Sequence, residues 1–426
     1  VLKLGVSLRC LVAETRISLY AVIAFDFAIN ERISRMTFAV IRLTFLTATV
    51  MMTSLIFVSH ARAEDGVTAK DIRIGIVNDQ SGPSDSIANK HFNSGATVYF
   101  DKVNKEGGVN GRKISVLMYD DAYEPEKTAE QTKKALETDK VFMLMNFSGT
   151  PTVKAVLPII EKSKVPFLFP KTGDLSPRVP LQKNIFNLRA SYQDEIHALI
   201  KEVVVKRGLH KVAILMQSDG FGQAMKQSVV SAFQSLGLME EVRKRGSALV
   251  AEGITVRNSM DITEAFNKIA AGDPEVVLLA VPPGQAIPFI KKMEAEKKKW
   301  QLIAANNNNA IVDKLEGSGQ GILISQVMPL VDTSTLEIVK RFKADMEAAG
   351  KKENINGIGF EGYLNAVVAV DGLKRAGTKL TREGLIESLE KGLSDVGGIQ
   401  VKFSPTQHSG GPAIVISTVK GGKVVE

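Results

Sequence analysis

Between residues 71 and 305 one pattern recurs: a short apolar run, a break of small, hydroxyl-bearing or glycine residues, then apolar positions at helical spacing. Asp71–Val77 alternates as a strand and breaks at Asn78-Asp79-Gln80-Ser81-Gly82-Pro83; a helical pattern over His91–Asn104 stops at Gly107-Gly108. Lys113–Tyr119 predicts a second strand, and Asp120–Pro125 turns into a helix over Glu126–Thr138. Val141–Met145, a helix over Thr152–Ser163 and Val165–Phe169 complete the first series. Strand and helix alternating at this spacing predict a parallel sheet with right-handed crossovers.

The rhythm then restarts. Tyr192–Arg207 reads as helix, Lys211–Met216 as strand, Gln223–Leu236 as helix, Arg245–Ala251 as strand and Ile262–Ala271 as helix. Glu275–Val281, Ala286–Glu296 and Gln301–Ala305 follow as strand, helix and strand. Gly321–Gln326 predicts a further strand, and Val327–Leu330 an extended crossing. Helices are expected over Thr335–Ala349, Gly362–Ala376 and Arg382–Gly392, the last with Thr381 as N-cap. Ile399–Phe403 and Ala413–Val419 suggest a hairpin-like end. The fold class is therefore α/β, with two Rossmann-like lobes whose parallel sheets face one another by their loop ends across a multi-strand hinge.

Composition changes this picture only at the start of the chain. Thr37–Ala63, with Arg35 and Arg42 near its start, an apolar run Leu43–Val58 and Ala61-Arg62-Ala63, has the anatomy of a secretory signal peptide cleaved after Ala63. Met36 reads as the initiator, which makes residues 1–35 an upstream extension; the other reading is a membrane anchor built from Leu11–Ile29 and the second run, in which Glu14, Arg16 and Asp26 sit badly. The one cysteine, Cys10, lies in this region, so cysteine chemistry and a lipid anchor after the cleavage site are excluded, and the product is expected free in the periplasm. The boundaries that follow are 1–63 for extension and signal peptide, 64–189 with 328–411 for the first lobe, and 190–327 with 412–426 for the second.

The whole chain carries +8; residues 1–63 hold seven Lys/Arg and three Asp/Glu, which leaves 47 minus 43, or +4, for the rest. Lys291-Lys292 and Lys297-Lys298-Lys299 cluster beside Trp300 alone, which reads as a solvated helix face and not as a nucleic-acid stripe. His91, His197, His210 and His408 are scattered, and neither a metalloprotease helix nor a nucleophile elbow occurs, so neither an enzyme nor a cofactor is expected. Asp120-Asp121 reads as a strand end that caps the next helix.

The candidate chemistry lies in the breaks. Ser148-Gly149-Thr150 and Thr172-Gly173 would fall at the carboxyl ends of neighbouring strands, where hydroxyls and helix N–H groups form a polar cradle for a small molecule. Thr150 and Thr152 equally suit a helix cap.

From about Asp71 onward the chain resembles the periplasmic substrate-binding proteins of ABC transporters, the branched-chain amino-acid (Leu/Ile/Val-binding) type with the type I periplasmic binding fold. The marks are D-I-R-I-G-I-V-N-D-Q-S-G-P at Asp71–Pro83, V-N-K-E-G-G-V-N-G-R-K-I at Val103–Ile114, Y-D-D-A-Y-E-P at Tyr119–Pro125, V-P-F-L-F-P-K-T-G, F-N-L-R-A-S-Y, S-D-G-F-G, I-S-Q-V-M-P and E-G-Y-L-N-A. They are collinear and individually weak, but specific together.

The resemblance implies a small ligand whose carboxylate is held by Thr150 and by Thr172 with Gly173, in the breaks that also contain Ser148 and Gly149. It implies Phe221 closing over the ligand from the Asp219–Gly222 loop, Tyr192 at the first crossing, and Ser84 to Ile87 bordering the ligand's side chain. Family members hold an α-ammonium with an acid after the strand that here is Gln301–Ala305. This chain instead has Asn306–Asn309, with Asn307 facing the ligand, so the charge falls to Asp219 or Glu361, or else the ligand is an amine-free carboxylate or amide. The implied partners are an ABC permease and its ATPase; the alternative is a ligand sensor docking on a membrane signalling protein. Neither nucleic acid nor membrane embedding of the mature form is expected.

Overall fold

The computed structural model describes residues 64–83, 85–305, 309–312, 314, 315, 317–392 and 395–426. The signal-peptide reading of 1–63 and the candidate residues Ser84 and Asn307 lie outside them.

The first sheet has five parallel strands in the order β2-β1-β3-β4-β5: β1 (Asp71–Asn78), β2 (Lys113–Asp120), β3 (Met143–Met145), β4 (Phe167–Leu168) and β5 (Ile185–Phe186). Ile72, Ile74, Ile76 and Val77 are all fully buried, because helices cover both faces of a parallel sheet and its central strands carry apolar residues on both sides. Those helices are α1 (Ser86–Lys105), α2 (Pro125–Lys133) and α3 (Thr150–Ser163).

The second sheet has seven strands in the order β12-β11-β10-β9-β8-β6-β7. Five are parallel: β6 (Val212–Gln217), β7 (Ala251–Thr255), β8 (Val276–Ala280), β9 (Gln301–Ala304) and β10 (Leu323–Gln326). The terminal hairpin, β11 (Val415–Lys420) and β12 (Lys423–Val425), adds two antiparallel strands to the edge at β10. Helices α4 (Tyr192–Ile200), α5 (Gly220–Ser235), α6 (Met239–Arg245), α7 (Thr263–Ala271), α8 (Pro283–Ala295) and α9 (Asn309–Val312) belong to this half of the chain.

Three segments run between the sheets: 187–191, 327–336 and 404–414. The first and third are tied together. Asn187 donates its N–H to the His408 carbonyl at 2.8 Å and accepts from Gly410 at 3.1 Å, and a Cβ at Gly411 would lie 1.6 Å from the Leu188 oxygen. After the second crossing, α10 (Glu337–Ala348), α11 (Gly357–Ala376) and α12 (Arg382–Glu390) return to the core beneath the first sheet. There α11 lies so close to α1 that a Cβ at Gly95 would come within 1.9 Å of the Gly359 oxygen, and one at Gly362 within 1.9 Å of the Phe92 oxygen.

Two expectations from the pattern are corrected. Arg245–Ala251 is not a strand: Arg245 ends α6, Gly246 stops it at φ 76°, and the strand begins at Ala251. Ile399–Phe403 pairs in neither sheet; Ile399, Val401 and Phe403 bury their alternating side chains in the first core as an extended segment, and the terminal hairpin is β11–β12.

Candidate functional site

In each parallel sheet the strand order reverses at one place, between β1 and β3 in the first and between β6 and β8 in the second. Loops at the carboxyl side of such a reversal diverge and leave a crevice. One cavity, of ≈ 20 Å³, is lined from both crevices: by Asp85, Tyr123, Ser148, Gly149, Thr150, Lys171 and Tyr192, and by Phe221, Pro282 and Pro283. Six of the expected residues meet here or beside it. Ser148, Gly149, Thr150, Tyr192 and Phe221 line the space, and Thr172 touches it through Thr150.

Thr150 and Thr172 are separated by 22 residues in sequence, yet their hydroxyls stand 2.8 Å apart, both buried. The loops carrying them are stitched by the Lys171 N–H to the Phe147 carbonyl at 2.7 Å and the Gly149 N–H to the Lys171 carbonyl at 3.3 Å. The capping reading of Thr150 gives way here. The N-cap of α3 is Gly149, no side chain caps the helix, and it is Thr152 whose hydroxyl turns back to the Gly149 carbonyl, at 2.8 Å. The amino end of α3 thus points at the cavity without a side-chain cap, a setting that favours anionic groups.

Gly149 and Gly173 are required by space. At φ 99°, Gly149 would place a Cβ 2.5 Å from the Tyr123 ring; a Cβ at Gly173 would sit 2.4 Å from the ring of Tyr192. That approach lets Tyr192 lie on the Thr172 loop, with its N–H on the Gly173 carbonyl at 2.7 Å. Burial raises the Tyr192 pKa above its ordinary value, so the phenol stays protonated. Its ring packs at 5.6 Å, tilted 53°, against Phe221 of α5, within the same second core.

Asp219 caps α5, accepting the Phe221 N–H at 2.9 Å and the Gly222 N–H at 3.4 Å, and also takes a hydrogen bond from Gln217. Its acceptor capacity is thereby engaged at the helix end. Glu361 is corrected outright as a source of charge for a ligand: fully buried in α11, it forms a two-pronged pair with Arg189, at 2.9 and 2.7 Å. Burial alone would lower the Arg189 pKa, but Glu361 holds it above the ordinary value. Arg178 accompanies it, donating to the carbonyls of Thr172 (3.2 Å), Asp174 (2.8 Å) and Arg189 (2.7 Å); this ties the Thr172 loop to the first crossing. Ile87 lies elsewhere, in a second and mostly apolar cavity of ≈ 210 Å³ with Pro83, Ala88, Met260 and Ile287, which shares Pro283 with the first.

Sequence reading singled out neither Lys171 nor Tyr123, nor Pro282 and Pro283, and it placed Asp85 only within the Ser84–Ile87 loop expected to border the ligand's side chain. Lys171 is 3% exposed and pairs with Asp85 at 2.8 Å, and the Ser148 hydroxyl donates to the same Asp85 oxygen at 2.8 Å. Tyr123, at φ 61°, is buried, and burial raises its phenol pKa above the ordinary value. Nearby, Glu124 joins the two halves through Arg257 at 3.0 Å and Asn258 at 2.8 Å. Asp121, fully buried, accepts from the Tyr123 N–H at 2.9 Å and faces the Thr128 hydroxyl at 3.0 Å; burial raises its pKa to about 7. Among the described residues, no group of His, Cys, Asp and Glu side chains could hold a metal, and no helix is long and apolar enough to cross a membrane.

Two facing α/β sheets around a buried polar cavity define a binding protein of the type I periplasmic fold, in which a small molecule is held between the sheets. The family model described as Periplasmic binding protein matches residues 71–423, and the chain belongs to that family. An Amino acid binding protein of Pseudomonas aeruginosa is 24% identical over 254 residues, 59% of this chain and 64% of the relative, so the match spans just under two thirds of that protein. A solved structure of a possible leucine/isoleucine/valine-binding protein from Rhodopirellula baltica superposes with a TM-score of 0.76 at 21% identity, covering 86% of this chain and 98% of the other. A branched chain amino acid ABC transporter protein from Thermus thermophilus with bound valine gives 0.73 at 18% identity, covering 84% and 96%. The family consists of substrate-binding proteins, not enzymes.

Proposed function

We propose that the chain is an exported periplasmic solute-binding protein that closes on a small ligand and hands it to an ABC permease driven by its ATPase. The ligand is an amino acid, branched-chain or other, or a related carboxylate or amide. The observation that carries this reading is the cavity whose walls come from the reversal points of both sheets, with the Thr150–Thr172 hydroxyl pair on one side and Phe221 on the other. Hydroxyls and free helix N–H groups suit a carboxylate, which accepts several short hydrogen bonds at once. In this reading residues 64–189 with 328–411 and residues 190–327 with 412–426 move as two bodies, and the three crossings act as the hinge. The permease would recognise the closed form by surfaces of both bodies.

Thermal unfolding against a panel of amino acids and their amine-free analogues tests the binding. The parent rises in Tm with at least one class of ligand; Thr150→Ala with Thr172→Ala removes that rise and leaves the ligand-free fold intact. Equal shifts in mutant and parent would reject the hydroxyl roles. Deleting the gene tests delivery: lost uptake supports transport, whereas intact uptake with a lost transcriptional response would assign the same binding event to a sensor.

A further inference from the structure

We propose that the Asp85–Lys171 ion pair is the charge-selecting element of the cavity: it neutralises itself in the protein alone and parts to accept a ligand head group bearing both charges. The proposal rests on the binding reading above and names the groups that sort ligands within it. Four observations support it. Lys171 and Asp85 both line the polar cavity, 2.8 Å apart, with the lysine 3% exposed. The space left beside them is only ≈ 20 Å³, about that of a single water, too small for a head group unless the lining groups, the pair among them, move apart.

The third observation is the set of charges around the pair. Among the described residues that line the cavity, Asp85 is the one carboxylate and Lys171 the one ammonium. A ligand bearing only negative charge would satisfy Lys171 but leave Asp85, 12% exposed, facing a like charge, which is unfavourable. A zwitterion gives each member a new partner: its carboxylate goes to Lys171 and the Thr150–Thr172 hydroxyls, its ammonium to Asp85. Asp85 thereby supplies the acid missing from the Gln301–Ala305 end, where sequence reasoning looked for it.

Fourth, a mostly apolar cavity of ≈ 210 Å³ shares Pro283 with the polar one; its wall is built from Pro83, Ile87, Ala88, Met260 and Ile287, with Lys314 the one charged side chain among its described lining residues. It suits the aliphatic side chain of a molecule whose charges lie next door.

Calorimetric titration with L-leucine and with 4-methylpentanoate, the same carbon skeleton without its amine, tests the pair. The parent should bind L-leucine at least tenfold more tightly. Asp85→Asn should lose tenfold or more for L-leucine while 4-methylpentanoate stays within threefold or improves; Lys171→Met should weaken both. Because Asp85→Asn strands a buried lysine, the double variant Asp85→Asn/Lys171→Met, which leaves no charge unpaired, is measured beside it and should bind the two ligands within threefold of each other. A leucine preference preserved in either Asp85 variant overturns the proposal. A parent that prefers 4-methylpentanoate overturns it too while sparing the binding reading, and a parent that binds no member of an amino-acid and organic-acid panel overturns both.

Discussion

Replacing Arg189 by methionine should cost more stability than any other single change near the crossings. Its guanidinium meets Glu361 through two hydrogen bonds, at 2.9 and 2.7 Å, with side-chain exposures of 1% and 2%. Water can reach neither partner, so the substitution leaves a carboxylate buried without its cation, a defect worth about 3–5 kcal/mol. Removing Glu361 as well should recover part of that, because Arg189→Met/Glu361→Leu replaces the pair with apolar groups of comparable bulk; the double variant should be more stable than Arg189→Met by roughly 2 kcal/mol. Urea unfolding at pH 7, followed by far-ultraviolet circular dichroism, gives both numbers. A loss under about 1 kcal/mol for Arg189→Met, or a double variant as unstable as the sum of the two singles, would refute the reasoning.

Three other outcomes follow from the geometry. Asp121 has a folded pKa of about 7 against an unfolded value near 3.8, so the native state holds the extra proton between them and stability falls as pH rises through that window. The parent should lose roughly 2 kcal/mol between pH 5 and 7 from this group, and Asp121→Asn should remove that slope in urea titrations at a series of pH values. Gly95→Ala should destabilise by about 1–3 kcal/mol, read as a lowered urea midpoint, because the new methyl meets the backbone of α11. Phe221→Ala should weaken whichever ligand raises the Tm of the parent by about tenfold in calorimetry, since the ring closes the cavity from the second sheet.

The alternation of apolar runs with glycine and hydroxyl breaks was enough to read most strands and helices, because in a parallel sheet each strand must be apolar and each carboxyl end must turn. It also located Thr150 and Thr172, since both stand in such turns. Asp85 and Lys171 were not legible in the same way: 86 residues separate them, and each sits in a loop where a charged residue is ordinary. Their pairing depends on how far two loops lean over the switch point, which no local pattern encodes. Tyr123 was visible only as a letter in a recurring motif, and its reach into the cavity comes from a left-handed backbone at φ 61°. Glu361 misled for the opposite reason: an acid in an otherwise apolar helix signals a buried partner, and Arg189 fills that role from 172 residues away. Ile399–Phe403 shows that alternation reports one buried face and not a sheet partner.

The Glu124–Arg257 pair and the Asp85–Lys171 pair in the cavity wall differ in their shelter from solvent. Glu124 and Arg257, joining the halves of the chain, keep 36% and 27% of their side chains exposed, whereas Lys171 keeps 3%. Dissolved salt screens the first pair and hardly reaches the second. On the proposed binding reading, ionic strength should therefore change how long a guest dwells more than which guest is admitted, with tempo and choice assigned to separate parts of one molecule.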